Sequence, residues 1–235
     1  MEPVRSQEMI LLVVSVGLLL RANFVASAEP ATPSTNSFDL RTSCSDWQAG
    51  FADYPPGEET FYELASMCQT AGTNLNRGFF IAGNNHSDDL FMFIKHQIHG
   101  LKAATSYKVD GRVQFLSRAP RDCGGVGGSP GESVFVKFGA SQQEPLSIVK
   151  DGMRRMNVDI GHQSNSGTNA VVIGNIATTL TDCNNQAFES KEESTKSPVT
   201  VCSDAQGQLW IFVGTDSGFE GKSALIYTKV SIEMR

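Results

Sequence analysis

Between Leu90 and Ile98 the apolar side chains fall on alternate positions: Leu90, Met92, Ile94 and Ile98 would point one way, while Lys95, Gln97 and, just beyond, His99 point the other. A period of two marks a strand with one buried face, and Phe91 and Phe93 on the second face imply that its first half is covered on both sides. The stretch 107–115 alternates more cleanly, with Tyr107, Val109, Gly111, Val113 and Phe115 set against Lys108, Asp110, Arg112 and Gln114. Gly100 to Thr105 between the two reads as the turn of a hairpin. Further strands are expected over 61–67, 78–82, 133–139, 155–160, 170–176, 199–202, 208–214 and 224–234, which makes about ten in all at sandwich spacing. A helical period is nearly absent, and at best one short helical turn fits 146–153. The pattern predicts an all-β fold, an antiparallel β-sandwich with little helix.

The N-terminus departs from that pattern. Residues 9–20 are apolar apart from Ser15 and Gly17, a run long enough for the h-region of a signal peptide and too short to cross a bilayer. Arg5 precedes it, and Ala26-Ser27-Ala28 offers the small residues of a cleavage site. Residues 1–28 therefore read as a cleavable signal peptide and the product as secreted; Glu2, Glu8 and Arg21 fit less well, and an uncleaved anchor is the alternative. Residues 29–37 hold no large apolar side chain and read as a flexible leader. The remainder, 38–235, contains no Pro/Gly/Ser-rich linker and no fixed repeat, so it reads as a single β-sandwich domain.

Composition narrows the function classes. A net charge of −6 and a pI near 5.2 argue against nucleic acid, whose phosphates are bound by clustered Lys and Arg. Five cysteines in an exported chain should pair where geometry permits. Cys183 and Cys202 flank a polar segment, and a bridge between them would close about twenty residues and contribute roughly 3 kcal/mol on the chain-entropy model. Cys44 and Cys68 make the next pair. Cys123, among Gly124, Gly125, Gly127 and Gly128, is then left over as a free thiol or as one end of an intermolecular bridge, which would give a disulfide-linked dimer. There is no CxxC and the four His are scattered, so metal–thiolate chemistry is not expected.

Four polar clusters are candidate sites. Asn84, Asn85, His86, Ser87, Asp88 and Asp89 stand between two expected strands, with carboxamide, imidazole and carboxylate groups of the kind that bind sugar hydroxyls or a hard cation; a solvated turn would use the same residue types. Asn85-His86-Ser87 is also a glycosylation sequon. Asp53 and Tyr54 precede Pro55-Pro56, with Glu58 and Glu59 after them, in a loop whose prolines restrict the backbone. Asn157, Asp159, His162 and Gln163 lie where a strand runs into the 161–167 loop. Asp216 and Glu220 flank Phe219 in a loop expected over 214–221. Of the aromatic residues that could face a sugar, Tyr54, Tyr62 and Trp47 are candidates, whereas Trp210 reads as core.

The segment Ile98-His-Gly-Leu-Lys-Ala-Ala-Thr-Ser-Tyr-Lys-Val109 resembles a turn common in jelly-roll carbohydrate-binding modules and other galactose-binding-domain-like sandwiches. Leu209-Trp-Ile-Phe-Val, followed by Ala224-Leu-Ile-Tyr-Thr-Lys-Val-Ser-Ile232, is similar to the last two strands of the same modules. The resemblance implies a jelly roll and carbohydrate binding. In those modules an Asp on the last strand often helps hold a structural calcium ion; the matching position here is Thr228, followed by Lys229, so calcium in that place is not expected and no cofactor is implied. Gly-Phe-Ala-Asp-Tyr-Pro (50–55), Gly-Asn-Asn-His-Ser-Asp-Asp (83–89) and Gly-Gly-Ser-Pro-Gly-Glu (127–132) also resemble a group of uncharacterised exported bacterial proteins. Gln97-Ile98-His99 and Phe135-Val-Lys-Phe-Gly139 resemble two motifs of jelly-roll alginate lyases. The proton-transfer Tyr of those enzymes is replaced by Ser141, and the arginines of their substrate strand are missing from Phe61-Tyr-Glu-Leu64.

Three functions are thereby set against one another. The first is a secreted, non-catalytic sandwich that binds glycan or a cell-surface partner through loops around Asp53, 84–89 and 157–163. The second is a polysaccharide-active enzyme using His99 or His86 with a nearby acid. The third is a structural or adhesive extracellular protein crosslinked through Cys123.

Overall fold

A computed structural model describes Met1 and residues 34–72, 77–185 and 187–235. The expected signal peptide lies, apart from Met1, outside the described residues. Residues Ala31–Arg235 form one compact unit. It is an antiparallel β-sandwich of the jelly-roll class, with fourteen strands and no helix among the described residues, and so none long and apolar enough to cross a membrane.

One sheet has seven strands. Its central path runs β11 (Glu189–Ser194), β6 (Ser106–Ser117), β14 (Lys222–Met234), β4 (Gly78–Asn84) and β3 (Ala65–Gln69); β1 (Ser34–Asp39) pairs with β14, and β12 (Val199–Cys202) with β6. The second sheet orders β10 (Ala170–Asn175), β7 (Val134–Ser141), β13 (Leu209–Ser217), β5 (Leu90–Ile98) and β2 (Gln48–Ala52). The alternation along β5, β7 and β13 sends one set of side chains inward. Leu90, Met92, Ile94, Val134, Val136, Phe138, Leu209, Ile211 and Val213 meet Val109, Val113, Phe115, Leu225 and Tyr227 of the facing sheet in the main core.

The other set of side chains faces outward yet is also covered. Phe91, Phe93 and Phe212 form a second apolar cluster with Ala52, Val158, Ile160 and Ala170, against which Met156 packs. This is why β5 is apolar on both faces. Glycine makes room for the flattened rings: a Cβ on Gly139 would come within 2.1 Å of the Phe212 ring, and one on Gly50 within 2.2 Å of the Phe93 ring. The lid over this cluster is a separate hairpin, β8 (Ser147–Lys150) and β9 (Met153–Met156), and the segment that follows it.

Several expectations need correction. Gly100 to Thr105 does not close a hairpin: β5 pairs with β13 and β2, whereas β6 pairs with β14, β11 and β12, so this turn carries the chain from one sheet to the other. The expected helical turn at 146–153 is the β8–β9 hairpin, turned by Asp151 and Gly152 with φ of 52° and 76°. Residues 34–37, read as part of a flexible leader, belong to β1; they are held by backbone pairing to β14 rather than by burial, with Ser37 Oγ 3.0 Å from Ser231 Oγ. The strand expected over 61–67 begins only at Ala65, because Tyr62 and Leu64 are tied into a turn by bonds to the Glu58 and Glu59 carbonyls.

The cysteine pairing differs as well. Cys44 is bridged to Cys68 and Cys123 to Cys183, with Cα–Cα distances of 5.6 and 5.8 Å, and Cys202 is free and exposed. The expected Cys183–Cys202 bridge is therefore absent. A dimer through Cys123 has lost its thiol. The polar segment between Cys183 and Cys202 is not a loop needing closure, because half of it is built into β11 and β12, both paired to β6.

Candidate functional site

The Asp53-Tyr54 loop leaves β2 at one end of the five-stranded sheet, and residues 85–89 enter the neighbouring β5 at the same end. Ser87 Oγ donates to the Asp53 carbonyl at 3.1 Å, so the two loops touch. The β8–β9 hairpin closes over them. The Asp53 amide donates to the Arg154 carbonyl at 2.7 Å, which sets the next residue, Arg155, beside both loops. Its Nη1 bonds Asp53 Oδ1 at 2.8 Å and Asp89 Oδ2 at 3.3 Å. His162 Nε2 lies 3.5 Å from the same Asp89 oxygen. These four side chains ring an open cleft of about 220 Å³, whose apolar wall is Met156, Val158 and Ile160.

A buried ion pair lies under the cleft. Lys137 and Asp216 lie on the outer face of β7 and β13, opposite the main core, with side chains 0% and 1% exposed and 2.7 Å apart. Lys137 also donates to the carbonyls of Ile160 and Asn165, and Asp216 accepts the Gln163 amide, so the pair fastens the 160–165 segment to the sheet. Burial, reinforced by the charges of Asp53 and Asp216, pushes the Asp89 carboxyl up to about 6, with His162 and Arg155 opposing. Burial likewise raises Asp53, against the pull of Arg155. Asp159 is lowered, because the amides of Thr168 and Gly161 donate to it.

Several expected ligand residues are occupied elsewhere. Tyr54 is buried in the main core, its hydroxyl 3.3 Å from Glu59, and presents no face to a ligand. Asn85, 2% exposed, spends its side chain on the carbonyls of Ser217 and Phe219 and on the Ser87 amide. Its sequon is therefore inaccessible in the folded chain. Asn84 bonds Glu63, and His86 stacks on Phe61 with ring centroids 4.1 Å apart. Asn157 ties down the chain before β8 through the Leu146 amide and the Glu144 carbonyl. Asp88 is exposed, with φ of 60°, and its carbonyl accepts from Gln163 Nε2 at 2.7 Å, which joins the 84–89 cluster to the 157–163 cluster.

Asp53, Asp89 and Asp159 thus line one cleft, while Asp88 and Gln163 brace its rim. Sequence reasoning passed over Arg155 and Lys137. Lys137 did carry a signal: a lone cation in the apolar run Val134-Phe-Val-Lys-Phe138 needs a buried anion. Arg155 carried none, since its role depends on where the hairpin lands. Asp216 is not in a loop but in β13. Trp47 and Tyr62 are core residues; Trp210 is half-buried on the outer face, with the Lys95 amine 5.3 Å from its ring centre. His99 is exposed beyond the end of β5. Among the described residues no group of three or more His, Cys, Asp or Glu side chains is placed to hold a metal ion. Thr228, where an Asp would hold calcium, is the extra residue of a bulge in β14, and its carbonyl accepts from the Leu40 amide.

No protein-family model matches the chain, and no curated protein matches it. Among solved structures it is similar to the module TmCBM61 in complex with β-1,4-galactotriose, at 12% identity over 80% of this chain and 88% of that one, with a TM-score of 0.33. A CBM4 structure gives 12% identity, coverage of 80% and 86%, and a TM-score of 0.32. A cleaved adhesin domain of Lys-gingipain from Porphyromonas gingivalis gives 10% identity, coverage of 86% and 98%, and a TM-score of 0.29.

Proposed function

We propose that the protein is a secreted, non-catalytic β-sandwich that binds a glycan in the Arg155 cleft. The observation that carries this reading is the convergence of Asp53, Asp89 and Arg155, from three separate segments, on one open cleft with an apolar wall. Carboxylate oxygens accept hydroxyl protons and a guanidinium donates in a fixed fork, the polar pairing that sugar hydroxyls need. Two intramolecular disulfides support an oxidising, extracytoplasmic setting. The test is a glycan array probed with the domain from residue 29 onward, in parallel with its Arg155→Gln variant. Binding of a defined glycan class by the first and not by the second is expected, and no binding by either refutes the reading.

A second reading rests on Asp89. A partly exposed carboxyl held up to about 6, beside His162, is suited to proton transfer near neutral pH. Release of new reducing ends or unsaturated products from the array-selected glycan, lost in Asp89→Asn, would make the cleft an active site.

A further inference from the structure

A second cavity of about 330 Å³ shares no lining residue with the Arg155 cleft. It opens where the start of β14 meets the chain after β6 and after β10. Pro120, Pro130, Ile176 and Phe219 supply its apolar walls. Two cations line it and no Asp or Glu does. One of them, Lys222, is committed to Glu63 at 2.5 Å. The other, Arg118, makes no ion pair among the described residues; its guanidinium lies over the Phe188 ring, 5.5 Å from the centroid. Ser223 lines the same cavity, is 5% exposed, and carries a hydroxyl with no hydrogen-bond partner among the described residues.

The walls are fixed before any ligand arrives. The Thr178 amide donates to the Ala119 carbonyl and the Arg121 amide to the Leu180 carbonyl, both at 2.8 Å, and the Cys123–Cys183 bridge joins the same two stretches of chain. The Phe219 ring is clasped by Gly125 and Gly221, where a Cβ would approach it to 2.4 Å. A preformed concavity that sets an uncompensated guanidinium beside proline and aromatic walls suits a small anion with an apolar body. The fork of Arg118 matches a carboxylate, and the proline and phenylalanine walls match a ring.

We propose that this cavity binds a small organic monocarboxylate carrying an apolar ring, with its carboxylate on Arg118. The test is calorimetric titration of the disulfide-intact protein with sodium benzoate, benzamide and D-glucuronate. Saturable one-to-one binding of benzoate is expected, with benzamide weaker by about tenfold or more because it loses the charge-assisted bond, and glucuronate weaker by a similar factor because its ring hydroxyls would be desolvated against the apolar walls. Arg118→Gln should weaken benzoate by a similar factor and Arg118→Lys by less, with melting temperatures confirming that both variants are folded. The proposal is overturned if benzoate fails to bind, binds no better than benzamide or glucuronate, or binds Arg118→Gln as well as the parent.

Discussion

Lys137 and Asp216 each depend on the other, because neither side chain reaches solvent. Lys137→Met would leave the Asp216 charge buried and uncompensated, at a cost of about 3–5 kcal/mol. That loss should appear as a large fall in the urea midpoint, and adding Asp216→Leu should recover part of it, since apolar replacement of a whole buried pair is often near neutral. Asp89 behaves oppositely. Its folded pKa of about 6 stands above the ordinary carboxylate value of 3.8, so between these limits the folded state binds more protons than the unfolded one. Stability therefore falls as pH rises from about 4 to about 6, and the penalty remains above that. Asp89→Asn should flatten this slope and raise the stability at pH 7 by on the order of 1 kcal/mol, measured as melting temperature across pH 4 to 8. An unchanged slope would mean that Arg155 and His162 fully offset the burial of Asp89.

Among the elements, the β8–β9 hairpin decides whether there is a cleft, because it brings Arg155 to the acidic loops and Met156 to the second apolar cluster. Its Asp151-Gly152 turn has positive φ at both central residues, and only glycine holds the second without strain. Gly152→Ala should destabilise the domain by roughly 1–2 kcal/mol in chemical denaturation. This turn was legible, since Asp-Gly between apolar runs is a hairpin signal. Leu146, Val149 and Met153 are also spaced three and four apart, as on one face of a helix. Val149 at 60% exposure and Leu146 at 41% show that this stripe is not buried, so the apparent helical face had nothing to pack on. By contrast β5 and β12 run over the residues expected of them, β12 with burial alternating at a period of two and β5 covered on both faces over its first half. β11 (Glu189–Ser194) was invisible: it holds no apolar residue and persists through backbone pairing to β6 and the Glu192–Arg112 ion pair at 2.7 Å.

At the level of the whole molecule, the Cys123–Cys183 bridge spans 60 residues of chain and joins the segment before β7 to the one before β11. A crosslink closing a loop of that length contributes about 4 kcal/mol on the chain-entropy model. Non-reducing peptide mapping should find Cys44–Cys68 and Cys123–Cys183 linked and Cys202 alkylated; a Cys183–Cys202 peptide would contradict the pairing. The sequence could not choose between these connectivities, because Cys123 and Cys183 become neighbours only after β6, β7, β10 and β11 have paired. The same holds for the cleft. That 84–89 stands between two strands was legible, but that a hairpin from elsewhere carries a guanidinium between it and Asp53 required the assembled sheet. The claim most exposed to test is that these segments form one ligand-binding surface. Backbone amide shifts of the labelled domain, followed by NMR during titration with the array-selected glycan at pH 7, test it directly. The account predicts that the largest saturable shifts fall on Asp53, Asp89, Arg155 and His162. Shifts confined to the solvent face of the seven-stranded sheet, or no saturable shift at all, would contradict it.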